Sequence, residues 1–143
     1  ADGKRTISTA LAEEICRFTD NYSAYVQQLS WLVYTQKEEG ERVDEADIKQ
    51  ASEDLLATNE VLFMQMVEPL SGYQLNFLRA ICAGVTKNFT LSEVREKYHL
   101  GSYSNVNRLK TALLERDLIE KEGEELKITD PVFHKWFQRR MMV

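Results

Sequence analysis

A mainly α fold in two parts is what this sequence predicts: a small helical bundle, then a domain of three short helices closed by a β-hairpin and one more helix. Three observations carry the expectation. Apolar residues recur at three- and four-residue spacing along most of the chain. Leu118–Lys121 and Glu125–Ile128 read instead as two short strands joined at Glu122-Gly123-Glu124. Charge is divided unevenly: residues 1–66 carry 6 basic and 13 acidic side chains, whereas residues 67–143 carry 12 basic and 10 acidic. From Ser71 to Arg140 the order helix, helix, helix, hairpin, helix is the pattern of a winged helix-turn-helix with a short wing.

The elements follow in order. Thr6 or Ser8 can cap a first helix whose apolar positions are Ile7, Leu11, Ile15 and Phe18, with Asp20-Asn21 marking its end. A second helix over 23–35 places Tyr22, Tyr25, Val26, Leu29, Leu32 and Val33 on a broad apolar stripe with Trp31 at its flank. A charged loop from Lys37 to Arg42, containing Gly40, precedes Asp44, which pairs with Asp47 to begin a third helix through Ile48, Ala51 and Leu55. From Asn59 a connecting helix carries Val61, Leu62, Phe63, Met64, Met66 and Val67 before Pro69.

Ser71 caps a helix with Leu75, Leu78, Ile81 and Cys82 inward, closed by Gly84. Thr90 and Glu93 have capping-box spacing before Val94 and Tyr98, and Leu100-Gly101 turns into Ser102. The next helix is expected to bury Val106, Leu109 and Leu113. Asp130-Pro131 opens the last helix, with Phe133, Trp136 and Phe137 inward. The expected domains are 1–58 for the bundle, 59–68 for the connecting helix and 69–143 for the winged helix.

Composition narrows the function classes. The 143 residues are 43% apolar and 29% charged, which suits a soluble globular chain. No run approaches the roughly 20 apolar residues of a membrane span, and Ala1–Ile7 lacks a signal-peptide core, so a cytoplasmic location without membrane partners is the default expectation. Cys16 and Cys82 are expected to be buried free thiols, and His99 and His134 stand isolated from other metal-ligating residues. No nucleophile–base set, metal cluster or paired carboxylate arrangement points to a free-standing enzyme. The net charge of −5 opposes strong nonspecific binding of DNA by the whole chain, while a local basic patch on the second half stays compatible with it.

The candidate contact residues for DNA or a protein partner are Ser104, Asn107, Arg108 and Lys110 on the third helix of the winged domain, with Lys121 on the wing. Arg and Asn supply the bidentate geometries that read guanine and adenine. Against that use stand Glu115 and Asp117 at the helix end, and Glu120, Glu122, Glu124 and Glu125 in the wing, which would face phosphates.

Two sets of motifs resemble a known family. One is Tyr25-Val26-Gln27-Gln28-Leu29 with Trp31 and Val33. The other combines Tyr73-Gln74, Asn76-Phe77-Leu78 and Ala80 with Tyr98-His99-Leu100-Gly101-Ser102, Asn105-Val106 and Arg108, then Asp130-Pro131-Val132-Phe133 and Trp136-Phe137. Together they resemble the C-terminal region of archaeal-type P-loop ATPases, within the AAA+/STAND class. The resemblance implies that the bundle is a helical lid and that an ATPase domain using ATP and Mg lies upstream in the same polypeptide. These 143 residues contain no Gly-x-x-x-x-Gly-Lys-Ser/Thr loop, so neither ATP binding nor hydrolysis is expected of the chain itself. The family usually carries His-Pro at the start of the lid helix, where this chain has Tyr22-Ser23; the resemblance puts Tyr22, Ser23, Tyr25 and Gln27 nearest the nucleotide. Gln27 and Gln28 have two readings, nucleotide-state sensors or side chains bonded to neighbouring backbone, and Tyr25 is either a core residue or a ligand contact.

Overall fold

The computed structural model describes residues 7–20, 22–37 and 41–142. Thr6, Asn21 and Gly40, named above, lie outside them. Two units divide the chain, Ala1–Val61 and Leu62–Val143.

The first unit is built from α1 (Thr9–Phe18), α2 (Ser23–Thr35) and α3 (Glu45–Thr58). Ser8 caps α1, its hydroxyl accepting from Leu11 N, and Thr19 closes the helix by donating from Oγ1 to the Ile15 carbonyl at 2.9 Å. The expected apolar stripe of α1 is only partly sequestered: Ile15 is buried, whereas Ile7, Leu11 and Phe18 are half-buried. On α2, Leu29 and Val33 are fully buried. Asp44 and Asp47 form the reciprocal capping box at the start of α3, bonded at 3.0 and 2.8 Å. Lys37 reaches Asp47 at 3.0 Å, which raises the Lys37 pKa. Ile48, Ala51, Leu55 and Leu56 complete this core.

α4 (Glu60–Val67) follows almost directly, with Asn59 as the C-cap of α3. Six of its eight residues are apolar, yet only Phe63 and Val67 are buried; Val61, Leu62 and Met64 are exposed.

The second unit continues with α5 (Gly72–Cys82), α6 (Ser92–Tyr98), α7 (Tyr103–Glu115), β1 (Ile119–Glu122), β2 (Glu125–Ile128) and α8 (Pro131–Arg140). Its core joins Phe63, Phe133 and Trp136, with ring centroids 5.5–5.8 Å apart, to Leu78, Leu113 and Phe137. Phe77 stacks on Phe89 at 4.5 Å, which pins the segment between α5 and α6 to the core. That segment also touches the wing, where Leu126 N donates to the Thr86 carbonyl at 2.8 Å. Ser71 caps α5 as expected, and Gln74 completes a capping box there. Asp130 caps α8 through Val132 N and Phe133 N, with Pro131 in the first turn.

Several expectations are corrected. Thr90 does not cap α6: the helix starts one residue later with Leu91 at the N-cap and no side-chain bond there, and the Thr90 carbonyl instead accepts from Arg95 Nε at 2.9 Å. The hairpin strands pair Ile119 with Ile128 and Glu122 with Glu125, so Glu122 belongs to a strand and the turn is the two residues Gly123-Glu124. Gly123 has φ 65°, the conformation a two-residue hairpin asks of its first turn residue. Cys16 and Cys82 are free but half-buried rather than buried; desolvation pushes the Cys82 thiol up to about 12. Leu75 is likewise half-buried.

Candidate functional site

The element that presents the candidate residues is α7, and its N-terminus is held by a polar network. Ser102 caps the helix, accepting from Asn105 N at 3.2 Å. His99, in the left-handed region at φ 55°, and Gly101, at φ 83°, make the turn from α6. Three consecutive carbonyls of that turn are each taken by a side chain. His99 O accepts from Asn76 Nδ2 at 3.1 Å, Leu100 O from Asn105 Nδ2 at 2.8 Å, and Gly101 O from Arg95 at 3.4 Å. The donors sit on α5, α7 and α6. Arg79 continues the chain of bonds, donating to Asn76 Oδ1 at 3.0 Å and to the Met141 carbonyl at 2.8 Å. Satisfied buried or half-buried polar networks of this kind rigidify a turn. Beside it lies an open cleft of about 400 Å³ lined by Tyr73, Arg95, Glu96, His99 and Gly101.

Burial of Val106, Leu109 and Leu113 orients α7 as expected. The face opposite carries Ser104, Arg108, Thr111 and Glu115 at spacings of four, three and four, all exposed, with Asn107 exposed beside them. Lys110 is placed on the flank and is half-buried, apart from that face. Ser104 Oγ lies 3.3 Å from Ser102 Oγ. Helical spacing from Arg108 would have revealed that Glu115 shares its face; it was assigned above only to the helix end.

The wing is mixed in charge. Lys127 pairs with Glu120 at 3.3 Å and with Glu122 at 3.6 Å, and Glu125 accepts from the Thr86 hydroxyl at 3.1 Å. Lys121 and Glu124 are exposed.

The residues assigned to the nucleotide side do not share a face. Tyr22 stands at the N-cap of α2 without a side-chain cap bond and stacks on Tyr25, centroids 6.2 Å apart. Tyr25 is half-buried, Ser23 is exposed, and Gln27 is exposed on the opposite side of the helix from Tyr25. Gln28 Oε1 accepts from Asn59 Nδ2 at 3.4 Å, a side-chain partner rather than the neighbouring backbone. Asn76, Arg79 and Arg95, which hold the turn before α7, were not assigned a role from sequence; the i, i+3 spacing of Asn76 and Arg79 was the available signal.

Three helices followed by a two-stranded antiparallel hairpin and a closing helix define a winged helix-turn-helix. Residues 61–139 match the family model described as "Probable winged helix domain", and the chain belongs to that family. No curated protein and no solved structure matches the chain. No described helix is long and apolar enough to cross a membrane.

Proposed function

We propose that this chain is a non-catalytic regulatory module of a P-loop ATPase, in which a helical lid and a winged helix turn the nucleotide state of an upstream ATPase domain into domain rearrangement or partner binding. The lid and ATPase side of the reading rests on the motif resemblance, which brings ATP and Mg to the parent protein and none to this chain. The winged-helix side rests on one observation: the outward face of α7 carries Glu115 as well as Arg108, and Lys127 of the wing is ion-paired with Glu120 and Glu122. A DNA reader needs a run of cations toward the phosphates; this surface has the mixed charge of a protein contact.

The second reading is a DNA-binding winged helix. Asn107 and Arg108, both exposed on α7, favour it.

The test is made in the complete polypeptide that includes the ATPase domain. Hydrogen exchange with and without ATP and Mg should show protection in residues 62–143 that changes with nucleotide, and Arg108→Glu should alter that change. Exchange identical in both nucleotide states, or absence of ATP hydrolysis by the complete polypeptide, overturns the coupling role. For the isolated 143 residues, calorimetry should detect no ATP binding in the micromolar range.

A further inference from the structure

The turn between α6 and α7 forms one wall of the open cleft of about 400 Å³ lined by Tyr73, Arg95, Glu96, His99 and Gly101. Each of its three carbonyls is already engaged, His99 O by Asn76, Leu100 O by Asn105 and Gly101 O by Arg95. The polar groups left to the cleft are therefore side chains. Three of them can donate: the Arg95 guanidinium, the Tyr73 hydroxyl and the His99 ring.

Arg95 is held in place without being neutralised. Its Nε donates to the Thr90 carbonyl at 2.9 Å and its Nη1 to the Gly101 carbonyl at 3.4 Å, which fixes the guanidinium plane while supplying no negative charge. The side chain is half-buried, and among the described residues it has no ion-pair partner, although Glu96 follows it in sequence and lines the same cleft. A cation drawn partly out of water without a counter-charge is costly. Nη2 keeps its two N–H groups without a partner. A carboxylate would supply both the charge and the acceptors.

The form of the cleft decides what carries that carboxylate. Sites for small molecules enclose most of their ligand, whereas this one is open and Tyr73 in its lining keeps 50% of its surface exposed. It suits a side chain presented from outside. Tyr and Arg are the residue types that anchor protein contacts, and a turn already clamped by three side chains has little order left to lose on binding. Residues 67–143, which hold the cleft, carry 12 basic and 10 acidic side chains, so an acidic partner meets no net repulsion there. A nucleic-acid backbone asks for a run of cations, and the cleft offers one guanidinium beside a glutamate.

We propose that this cleft is a docking pocket for an Asp or Glu side chain of a partner protein, with Arg95 as the counter-charge, Tyr73 and His99 as flanking donors, and Glu96 as a like charge that keeps binding weak. The inference concerns the winged-helix unit and does not depend on the existence of an ATPase domain.

The probe is a capped pentapeptide with Glu between two Leu; its counterpart has Gln in place of Glu. Titrated into the isotope-labelled 143-residue chain, the Glu peptide should cause saturable NMR shifts at the Arg95 Nε–H and the Gly101 amide, with a Kd of about 1 mM, and the Gln peptide should not. Arg95→Gln should weaken binding by about tenfold or more, and Tyr73→Phe by about threefold. Glu96→Gln should strengthen it by about two- to fivefold, which loss of a merely structural residue would not do. Should Arg95→Gln lower the melting temperature by loosening the turn, the exposed positions 73 and 96 decide the matter. The proposal is overturned by equal shifts from both peptides, by no saturable shift from the Glu peptide up to about 10 mM, by unchanged or weaker binding in Glu96→Gln, or by random duplex DNA shifting the same two signals where the Glu peptide does not.

Discussion

Gly101 and Asn105 are fitted to each other: a Cβ built on Gly101 would lie 2.8 Å from Asn105 Nδ2, the atom that donates to the Leu100 carbonyl. The turn into α7 accepts the Asn105 side chain only because residue 101 has none. Gly101→Ala meets that contact and also the strain of φ 83°, so it should cost about 2–4 kcal/mol. Asn105→Ala, which forfeits one hydrogen bond to the turn, should cost about 1–2 kcal/mol. In the double variant the clash is relieved, and urea denaturation should find a loss smaller than the sum of the two. Strict additivity would show that the two residues do not constrain one another.

Leu78 is fully buried and Trp136 nearly so, in the core that carries α5 and α8. Truncating either to Ala leaves a cavity among rings and aliphatic chains that cannot collapse freely, and each should cost about 3–5 kcal/mol. An unchanged melting temperature in either variant would mean that the inward faces are wrongly assigned.

His134 on α8 has its pKa lowered from 6.5 by desolvation first and by the neighbouring Lys135 charge second. The unfolded chain therefore binds the proton more readily than the folded one. Stability from this group is complete above about pH 6.5, the unfolded value, is lost as pH falls from there toward the lower folded value, and changes no further below it. Thermal melts between pH 7.5 and 5 should fall less steeply in His134→Gln than in wild type. Parallel curves would remove His134 from the pH response.

Random duplex DNA should bind the chain no more tightly than about 10⁻⁴ M at physiological salt, the weak end of ordinary nonspecific affinity. Arg108→Glu should then change little. Submicromolar binding that vanishes in Arg108→Glu, with a salt slope reduced by about one unit for each phosphate contact removed, would instead favour the DNA-reading alternative.

Much of the architecture was legible in one dimension. The spans of α2 and β2, the caps Ser71 and Asp130, and the buried trio Val106, Leu109 and Leu113 all follow from helical or strand period and from capping chemistry. Thr90 shows the limit of the same rules. Its spacing to Glu93 has the form of a capping box, yet its carbonyl is engaged by Arg95 and Leu91 begins the helix without a side-chain cap. A local motif records which bonds a segment is able to make, and tertiary contacts choose among them.

The candidate site divides in the same way. That Arg108 and Asn107 point outward was set by the sequence, because burying Val106, Leu109 and Leu113 leaves a helix only one other side to show. That Lys110 is half-buried, that Lys127 is occupied by two glutamates, and that Asn76 grips His99 O across 23 residues were decided only by the tertiary structure. The same is true of Trp31, read from its apolar neighbours as a flank of the core helix and found exposed. Periodicity reports one face of one element against a common core, because burial acts on every helix alike. Pairing, exposure and the charge met by a given side chain depend on which elements are brought beside it, and that information belongs to the folded chain.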